Sequence, residues 1–418
     1  MPVDLILFDL DDTLLRTGDL EGFRGREFLN RQSLAYVQRL RAQFGTLPNR
    51  IVYSEARLLA LQVRYERVQL GVFTRSPRHY AETLLTIAYP NVEWATIVGF
   101  EDVTHTKPSG EGVSLAMQVA GIGSSQNVWL IGDGKSDVQA AYDAGCWCVL
   151  DQTTWPNPRR GDDWKALERM PDAIIQTPDD LQSVLERPAE YLPVAERLQM
   201  LNGPAAQDVG LRFEKANYFN PLVQGGRPTQ IHSLGRHFSR DAQRRVVWHG
   251  VTNDIHRMKD LLTVPDYWIQ AMRKFIRSVV VSRNLLFAFG VGELVITVVP
   301  AKPGRVRRLE AMLAQLAASH EESPVTGVNL EFIPDILEYR AGALSHHGNG
   351  GLNRDQRFVN VRDHLRAIPD SGFARKHVVV IDDVVTSGAS LIYAETALRA
   401  AGASGVTLLA LTKNVGNR

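Results

Sequence analysis

The chain has 418 residues and a formal net charge of +1, because 47 lysines and arginines nearly balance 46 aspartates and glutamates. This balance gives no overall positive field, so it argues against a protein that binds nucleic acid or an anionic membrane surface through its net charge. A hydrophobic content of 44% and a charged content of 22% are ordinary for a globular protein. The length predicts about two to three domains.

The sequence also lacks the usual signs of secretion or membrane insertion. Its N-terminus, MPVDLILFDLDD, has no basic segment, and carboxylates interrupt its apolar stretch, so a signal peptide is not expected. No apolar stretch approaches the roughly 18 residues that a membrane-spanning helix needs. Cys146 and Cys148 lie two residues apart on a predicted strand, where they would point to opposite faces and would not pair. A cytoplasmic protein without a cysteine zinc site is therefore predicted.

Residues 1–187 alternate between short apolar runs and amphipathic segments. The predicted strands are 5–9, 70–74, 96–99, 127–132, 146–150 and 172–175. The predicted helices are 32–43, 54–67, 77–87, 111–120, 136–144 and 178–186. Alternation of this kind is typical of a doubly wound α/β domain with a parallel sheet.

The alternation breaks down over 188–275 and then resumes. The middle stretch is rich in aromatic residues and contains QGGRP at 224–228, so it is predicted to be a small α+β connecting segment. From residue 276 the predicted strands are 277–281, 285–289, 294–300, 328–333, 377–382 and 406–412, and the predicted helices are 305–318 and 388–401. Residues 341–370 are predicted to be a mobile loop. The sequence thus predicts a second doubly wound parallel-sheet domain over 276–418.

The first predicted strand ends in two carboxylates. In LILFDLDDTLL, Asp9 and Asp11 lie two residues apart and Thr13 follows. The carboxyl ends of strands are where open α/β sheets bind ligands. One carboxylate there can attack a phosphoryl group and form an aspartyl phosphate, while the other acts as general acid and then general base. Two anions that meet a phosphate need a cation, so Mg²⁺ is predicted as a cofactor.

Three further motifs follow in order along the chain. Thr74 lies in LGVFTRS, Lys107 lies in THTKPSG, and Asp133 and Asp137 lie in VWLIGDGKSD. Together with Asp-x-Asp-x-Thr, this order resembles the haloacid dehalogenase (HAD) superfamily of phosphohydrolases over residues 1–187. The resemblance implies a Rossmann-like core in which Asp137 orients the metal ligands rather than binding the metal itself.

The same resemblance implies a role for the other motif residues. Asp9 would be the nucleophile and Asp11 the general acid and base. Thr74 and Lys107 would bind the phosphoryl oxygens, and Lys107 would also help to hold Asp9 in place. Mg²⁺ would be bound by Asp9, Asp133 and the backbone carbonyl of Asp11. In this family an inserted cap usually selects the substrate, and here residues 20–50 leave room for a small cap at most.

A second predicted strand, near the C-terminus, also ends in carboxylates. In VVVIDDVVTSGAS, Asp382 and Asp383 end the strand, and small or hydroxyl residues then open a helix: Thr386, Ser387, Gly388, Ala389 and Ser390. Backbone N–H groups at a helix N-terminus bind anions, and Gly388 allows a phosphate to approach closely. Two carboxylates beside such a site suit the two hydroxyl groups of a ribose.

This run resembles the phosphoribosyl pyrophosphate (PRPP) motif of type I phosphoribosyltransferases, and the resemblance extends over about 276–418. It implies that Asp382 and Asp383 hold the ribose hydroxyls and that 386–390 hold the 5′-phosphate. VITVVPAKPGRVRRL resembles the pyrophosphate loop, with Ala301 and Lys302 at its turn.

The segment 336–365 resembles the flexible catalytic loop of these transferases. Its LNRDQRFVNV sequence is similar to the competence-associated ComF proteins, although their zinc-binding cysteines are missing here. The resemblance implies that Lys302 and Arg305 contact pyrophosphate, and Arg340, Arg354 and Arg357 are candidates for closing over it. His346 and His347, in the same segment, are expected to be exposed or to contact substrate rather than to bind a metal.

Both resemblances together indicate a bifunctional enzyme of nucleotide-like metabolism. One half would transfer a phosphoribosyl group from PRPP to a base-like acceptor, and the other would hydrolyse a phosphomonoester. The expected partners are small phosphates and PRPP, and neither nucleic acid nor a membrane. A homodimer through the transferase-like half is left open. The alternatives are a phosphatase with a PRPP-sensing, non-catalytic module, and a protein phosphatase.

Overall fold

The structure is a computed structural model that describes residues 3–25, 33–66, 68–201, 210–239, 242–258, 261–282, 293–344 and 352–416. The strands are β1 Leu5–Phe8, β2 Gln69–Phe73, β3 Trp94–Val98, β4 Val128–Gly132, β5 Trp147–Asp151, β6 Ala173–Ile175, β7 Glu214–Tyr218, β8 Thr229–His237, β9 Glu293–Val298, β10 Asn329–Phe332, β11 Leu337–Tyr339, β12 Leu365–Ala367, β13 His377–Val385 and β14 Gly405–Asn414. The helices are α1 Leu34–Phe44, α2 Glu55–Arg64, α3 Arg78–Ala88, α4 Glu111–Ala120, α5 Lys135–Ala144, α6 Gly161–Leu167, α7 Asp180–Glu186, α8 Val194–Leu201, α9 Gln243–Val246, α10 Gly250–Arg257, α11 Asp266–Ser282, α12 Arg308–Glu322, α13 Arg354–His364 and α14 Ala389–Ala400.

The chain divides into two compact units that are not continuous in sequence. Unit 1 comprises 1–192, 238–249 and 415–418, and unit 2 comprises 193–237 and 250–414. The middle of the chain therefore contributes to both units. The predicted division into 1–187, 188–275 and 276–418 stays a prediction about domains.

In unit 1 the described strands form a parallel sheet in the order β3-β2-β1-β4-β5-β6. Alternate residues of β1 enter different apolar clusters, since Ile6 and Phe8 pack on one side and Leu5 and Leu7 on the other. Both faces of the sheet are therefore covered, which is why β1 is a continuous apolar run rather than an alternating one. This confirms the predicted doubly wound parallel sheet at the N-terminus.

In unit 2 the described strands form a sheet in the order β10-β9-β13-β14-β8-β7. Neighbours from β10 to β8 run parallel, whereas the edge strand β7 pairs antiparallel with β8. The sheet is thus mixed, and the prediction of a purely parallel second sheet is not confirmed. Val378 and Val380 of β13 pack on one face and Val379 and Ile381 on the other, so this strand is also buried on both sides.

Two local predictions for the C-terminal half are wrong. Residues 277–281, predicted as a strand, lie inside α11, where Phe275, Ile276, Val279 and Val280 are buried at helical spacing. The segment predicted as a mobile loop contains α13 and β12, and β12 pairs antiparallel with β11. The predicted strand 285–289 and residues 345–351, with His346 and His347, lie outside the described residues. No helix in the described part of the chain is both long and apolar enough to cross a bilayer.

Candidate active site

Three carboxylates of unit 1 meet at the carboxyl ends of two neighbouring strands. Asp9 directly follows β1, and its backbone N–H donates to the carbonyl oxygen of Ile131 in β4 at 2.8 Å. Asp133 directly follows β4, and Asp137 lies in the first turn of α5. The chain leaves β1 and β4 at the point where the strand order reverses, and open α/β sheets bind their ligands there.

Lys107 joins two of these carboxylates. Its Nζ atom lies 2.6 Å from Asp9 Oδ1 and 2.6 Å from Asp137 Oδ1. The lysine is 3% exposed, so the ammonium group is held away from water between two anions. The predicted contact of Lys107 with Asp9 is therefore present, whereas its predicted contact with a phosphoryl group stays a prediction.

The electrostatics of this cluster show a shortage of positive charge. Burial, opposed by Lys107 and reinforced by Asp137 and Asp11, raises the pKa of Asp9 to about 7. Burial and the charges of Asp137 and Asp9 also raise the pKa of Asp133 well above its usual range. Burial lowers the pKa of Lys107, but the two carboxylates outweigh it and the pKa is raised. One cation thus serves three acids, of which Asp137 is buried and Asp9 and Asp133 are half-buried, so a further cation would stabilise their ionised forms.

The same cluster fits a divalent metal ion. Within the described ranges, Asp9, Asp133 and Asp137 form the group of potential metal ligands, and one oxygen of each lies within 4.8 Å of the others. Carboxylate oxygens are the ligands that Mg²⁺ prefers in proteins. Asp137 was expected to orient the ligands only, and its position leaves it able to bind as well. The expected contribution of the Asp11 backbone carbonyl stays a prediction.

The side chain of Asp11 lies in a separate network of hydrogen-bond donors. Arg24 Nη2 lies 3.1 Å from Asp11 Oδ1. Hydroxyl groups donate to the two carboxylate oxygens from Thr17 at 2.8 Å, Tyr80 at 3.3 Å, Thr74 at 3.3 Å and Ser76. The hydroxyl of Thr74, predicted to bind a phosphoryl oxygen, therefore contacts Asp11.

The sequence analysis missed four members of this network: Thr17, Ser76, Tyr80 and Arg24. Ser76 lies two residues after Thr74 in the same motif, so its hydroxyl could have been included from spacing alone. Tyr80 lies on α3, and Arg24 lies just before the undescribed residues 26–32. Neither carries a local sequence signal, because only the packing of distant segments brings these side chains to Asp11.

In unit 2 the predicted acidic pair lies in β13, next to the start of α14. The backbone N–H of Asp383 donates to Asp382 Oδ1 at 2.9 Å. Asp383 also forms an ion pair with Arg308 at the start of α12, a contact that the sequence did not predict. Burial, opposed by Arg308 and Lys302, raises the pKa of Asp382 to about 7.

The loop after this pair turns sharply into α14. Gly388 has φ +80°, a conformation that residues with a Cβ rarely adopt, and a Cβ there would lie 2.9 Å from the ring of Tyr218. Thr386 is exposed and Ser387 partly exposed just before this glycine, and Ala389 is the first residue of the helix. Ser390 accepts a hydrogen bond from Tyr339 at 3.4 Å.

Lys302 lies close to the same acidic pair. Its Nζ donates to the carbonyl oxygen of Leu344 at 2.7 Å and lies 5.5 Å from the ring centroid of Tyr339. Burial, opposed by the charge of Asp382 and reinforced by Arg357 and Arg305, lowers the pKa of Lys302 to about 8. The structure therefore brings Lys302, Asp382 and Ser390 into one region of unit 2.

The remaining predicted residues have other contacts. The backbone N–H of Ala301 donates to Glu310 at 3.0 Å. Arg354 donates to the carbonyl oxygen of Phe219 at 3.1 Å, and Arg357 donates to that of Leu352 at 2.9 Å. Arg305 and Arg340 are exposed. None of these contacts tests whether the residues bind pyrophosphate, so that role stays a prediction.

Part of unit 1 is similar to a known protein family. Residues 25–150 match the haloacid dehalogenase-like hydrolase family. Validoxylamine A 7′-phosphate phosphatase of Streptomyces hygroscopicus subsp. limoneus is 33% identical over 108 residues, which are 26% of this chain and 50% of that protein. Phosphoglycolate phosphatase of Pseudomonas putida is 30% identical over 99 residues, 24% of this chain and 36% of that protein. The chain thus spans half or less of the length of these relatives.

One solved structure, titled a predicted phosphoglycolate phosphatase from Haemophilus somnus, is 20% identical, and the match covers 44% of this chain and 98% of that one. Its TM-score of 0.34 is too low to add to the sequence matches. The family match includes Thr74, Lys107, Asp133 and Asp137 but begins after Asp9 and Asp11. The comparisons thus support a haloacid dehalogenase-like hydrolase domain over residues 25–150.

Proposed function

We propose that unit 1 is a Mg²⁺-dependent phosphomonoester hydrolase that works through an aspartyl phosphate on Asp9. The observation that carries this proposal is the cluster of Asp9, Asp133 and Asp137 with Lys107 bridging two of its members. Such a cluster at a switch point of an α/β sheet is suited to a phosphate and its metal ion.

The first chemical step forms the covalent intermediate. An oxygen of Asp9 attacks the phosphorus atom, the bond from phosphorus to the leaving oxygen breaks, and the leaving oxygen takes a proton from Asp11. Lys107 orients Asp9 through its 2.6 Å contact with Oδ1, which leaves the other oxygen for the attack.

The second step releases phosphate. Water attacks the phosphorus atom, its proton passes to Asp11, and the bond to Asp9 breaks so that the carboxylate is restored. Asp9, Asp133 and Asp137 would hold Mg²⁺, which when bound offsets the negative charge of the phosphoryl oxygens. The substrates we propose are small phosphomonoesters, since the names of both curated relatives denote phosphatases of small molecules.

Replacement of Asp9 tests this proposal. Asp9→Asn keeps the shape of the side chain but removes the nucleophile, so hydrolysis of p-nitrophenyl phosphate with Mg²⁺ should fall by about 100-fold or more. Asp162→Asn serves as the control, because that side chain is 86% exposed on α6. Turnover by Asp9→Asn equal to that of the wild type and the control would refute the assignment.

A second function is favoured by the geometry of unit 2. We propose that this unit binds PRPP and transfers its phosphoribosyl group to a base-like acceptor. The supporting observation is that Asp382, Asp383 and the turn at Gly388 come together at the start of α14, near Lys302. Displacement at the ribose carbon passes through a cationic state, so it depends on charge stabilisation and exclusion of water.

The two proposed activities have a chemical reason to share a chain. A phosphoribosyl transfer yields a 5′-phosphate, and a phosphomonoesterase that removes this phosphate would draw a reversible transfer forward. The alternatives are a unit 2 that senses PRPP without catalysis, and a unit 1 that acts on phosphoproteins. Measuring the release of pyrophosphate from PRPP with a panel of bases distinguishes the two functions of unit 2. A catalyst releases pyrophosphate with at least one base, whereas a sensor binds PRPP without releasing it.

Calorimetric titration of the full chain with PRPP and Mg²⁺ tests the binding site. Asp382→Asn combined with Asp383→Asn should weaken binding strongly, since each hydrogen bond to a charged group contributes roughly 1.5–3 kcal/mol. Asp370→Asn, an exposed carboxylate of the same unit, is the control. Equal affinity in the wild type and the double variant would exclude the role in holding the ribose hydroxyls.

A further inference from the structure

We propose that Arg24 is a positioning residue that fixes the orientation of the Asp11 side chain, the proposed base for hydrolysis of the aspartyl phosphate. This inference rests on the proposed phosphatase function of unit 1. It assigns a role to a residue that lies outside the four sequence motifs and just before the family match at 25–150.

The first observation is the contact geometry of the Arg24 guanidinium. Nη2 lies 3.1 Å from Asp11 Oδ1, and it donates to the hydroxyl of Thr17 at 2.6 Å and to the carbonyl oxygen of Thr17 at 2.8 Å. The guanidinium carbon also lies 5.8 Å from the ring centroid of Tyr80. Arg24 is thus fixed by several contacts, and a quarter of its side chain is exposed.

The second observation is the direction of the hydrogen bonds. Because a guanidinium can only donate, the Thr17 hydroxyl accepts from Arg24 and must direct its own proton elsewhere. That proton points to Asp11 Oδ1 at 2.8 Å. Arg24 therefore acts on Asp11 twice, once by direct attraction and once by setting the direction of the Thr17 hydrogen bond.

The full set of donors holds the Asp11 side chain in one orientation. One cation and the hydroxyls of four residues surround its two oxygens: Thr17, Thr74, Ser76 and Tyr80. Because donors contact both oxygens, rotation of the carboxyl group would break several hydrogen bonds at once. The network thus fixes the direction in which Asp11 faces.

The second step depends on where Asp11 faces. When water attacks the phosphorus atom of the aspartyl phosphate, one of its protons must pass to an Asp11 oxygen as the bond to Asp9 breaks. A base that is held in one orientation makes this transfer more effective than one that rotates. With a leaving group that needs no proton, Arg24 would therefore act on the breakdown of the intermediate rather than on its formation.

A substrate with a good leaving group isolates this step. p-Nitrophenolate departs without a proton, so formation of the aspartyl phosphate from p-nitrophenyl phosphate needs little from Asp11. Arg24→Ala should then lower kcat by about 10-fold or more while kcat/KM changes by less than about 3-fold, because kcat/KM reports the first step. Acid quenching should trap more phosphorylated enzyme in this variant than in the wild type, and Arg24→Lys should recover part of kcat.

The control is Arg57→Ala, which removes a surface arginine paired with Asp179 in the same unit. It should leave kcat, kcat/KM and the amount of trapped intermediate unchanged. An equal fall of kcat and kcat/KM in Arg24→Ala, without extra phosphorylated enzyme, would overturn the role of Arg24 and leave the phosphatase assignment intact. A wild-type enzyme that forms no phosphorylated intermediate would overturn both.

Discussion

At the scale of single residues, Asp9 and Asp382 occupy comparable places in two different sheets. Asp9 follows β1 and Asp382 lies in β13, and burial raises the pKa of each to about 7. A lysine lies near each of them, Lys107 in unit 1 and Lys302 in unit 2. Groups with strongly shifted pKa values are concentrated at functional sites. Folding alone leaves such a charge buried at a cost in free energy, and a bound ligand or cation offsets that cost.

The raised pKa of Asp382 predicts how stability depends on pH. The folded chain keeps a proton on Asp382 up to about pH 7, whereas the unfolded chain releases it near the usual value of 3.8. Stability from this group is therefore fully present below pH 3.8 and is lost as pH rises through 7. Asp382→Asn should reduce the fall in Tm of the full chain between about pH 5 and pH 8.

Scanning calorimetry of the wild type, Asp382→Asn and the exposed control Asp370→Asn at both pH values checks this prediction. A shift of one pKa unit corresponds to about 1.4 kcal/mol, so the difference between the variants should be measurable. A fall in Tm that is identical in wild type and Asp382→Asn would contradict it.

At the scale of elements, the segment 238–249 is notable because it comes from the middle of the chain and packs in unit 1. We call it the strap; it contains α9, and residues 240–241 lie outside the described residues. Arg245 of the strap is 1% exposed, pairs with Asp172 and donates to the carbonyl oxygen of Cys146 at 2.8 Å. Its guanidinium lies 3.8 Å from the ring centroid of Trp248.

The strap also needs a close approach to the end of α5. Gly145 has φ +76°, and a Cβ there would lie 2.6 Å from the Cβ of Arg244. Trp248 donates its ring N–H to the carbonyl oxygen of Gly145 at 2.9 Å. A larger residue at 145 would therefore push the strap away from the end of α5.

Removal of the strap's buried cation should destabilise unit 1. Arg245→Met keeps much of the side-chain volume but leaves the Asp172 carboxylate buried without its partner, which costs about 3–5 kcal/mol. Urea unfolding followed by tryptophan fluorescence measures this loss, because Trp147 and Trp248 surround the pair. Arg57→Ala, an exposed pair with Asp179, should cost less than about 1 kcal/mol. An equal loss of unfolding free energy in the two variants would show that the buried pair contributes no more to stability than the exposed one.

At the scale of the whole molecule, the two compact units are interleaved along the chain. The chain passes from β8 of unit 2 into the strap of unit 1 and then to α10 of unit 2, and 415–418 return to unit 1. A fragment cut after residue 192 would lack the strap, and a fragment begun there would carry it without the sheet on which it packs. Experiments on either proposed activity therefore need the full chain.

The sequence by itself determined the elements whose signals are local. The six strands of unit 1 were predicted to within two residues, because each is a short apolar run bounded by turns or helices. Asp9, Asp133 and Asp137, which the structure brings together, were also predicted from sequence, since each follows a strand or opens a helix where ligands bind. Lys107 was predicted from the order of the motifs, and Asp382, Asp383 and Gly388 from the apolar run that leads into α14. The roles of all these residues stay predictions.

Only the tertiary structure decided the features that depend on distant contacts. The predicted strand 277–281, RSVVV, is rich in β-branched residues, which favour strands. Val279 and Val280 instead continue the buried stripe of α11, so packing outweighs local propensity. Three further features have no periodic or spacing signal in the sequence. They are the antiparallel direction of β7, the packing of the strap in unit 1 and the contact of Arg24 with Asp11. Each is set by side chains that are far apart in sequence and meet only when the chain folds.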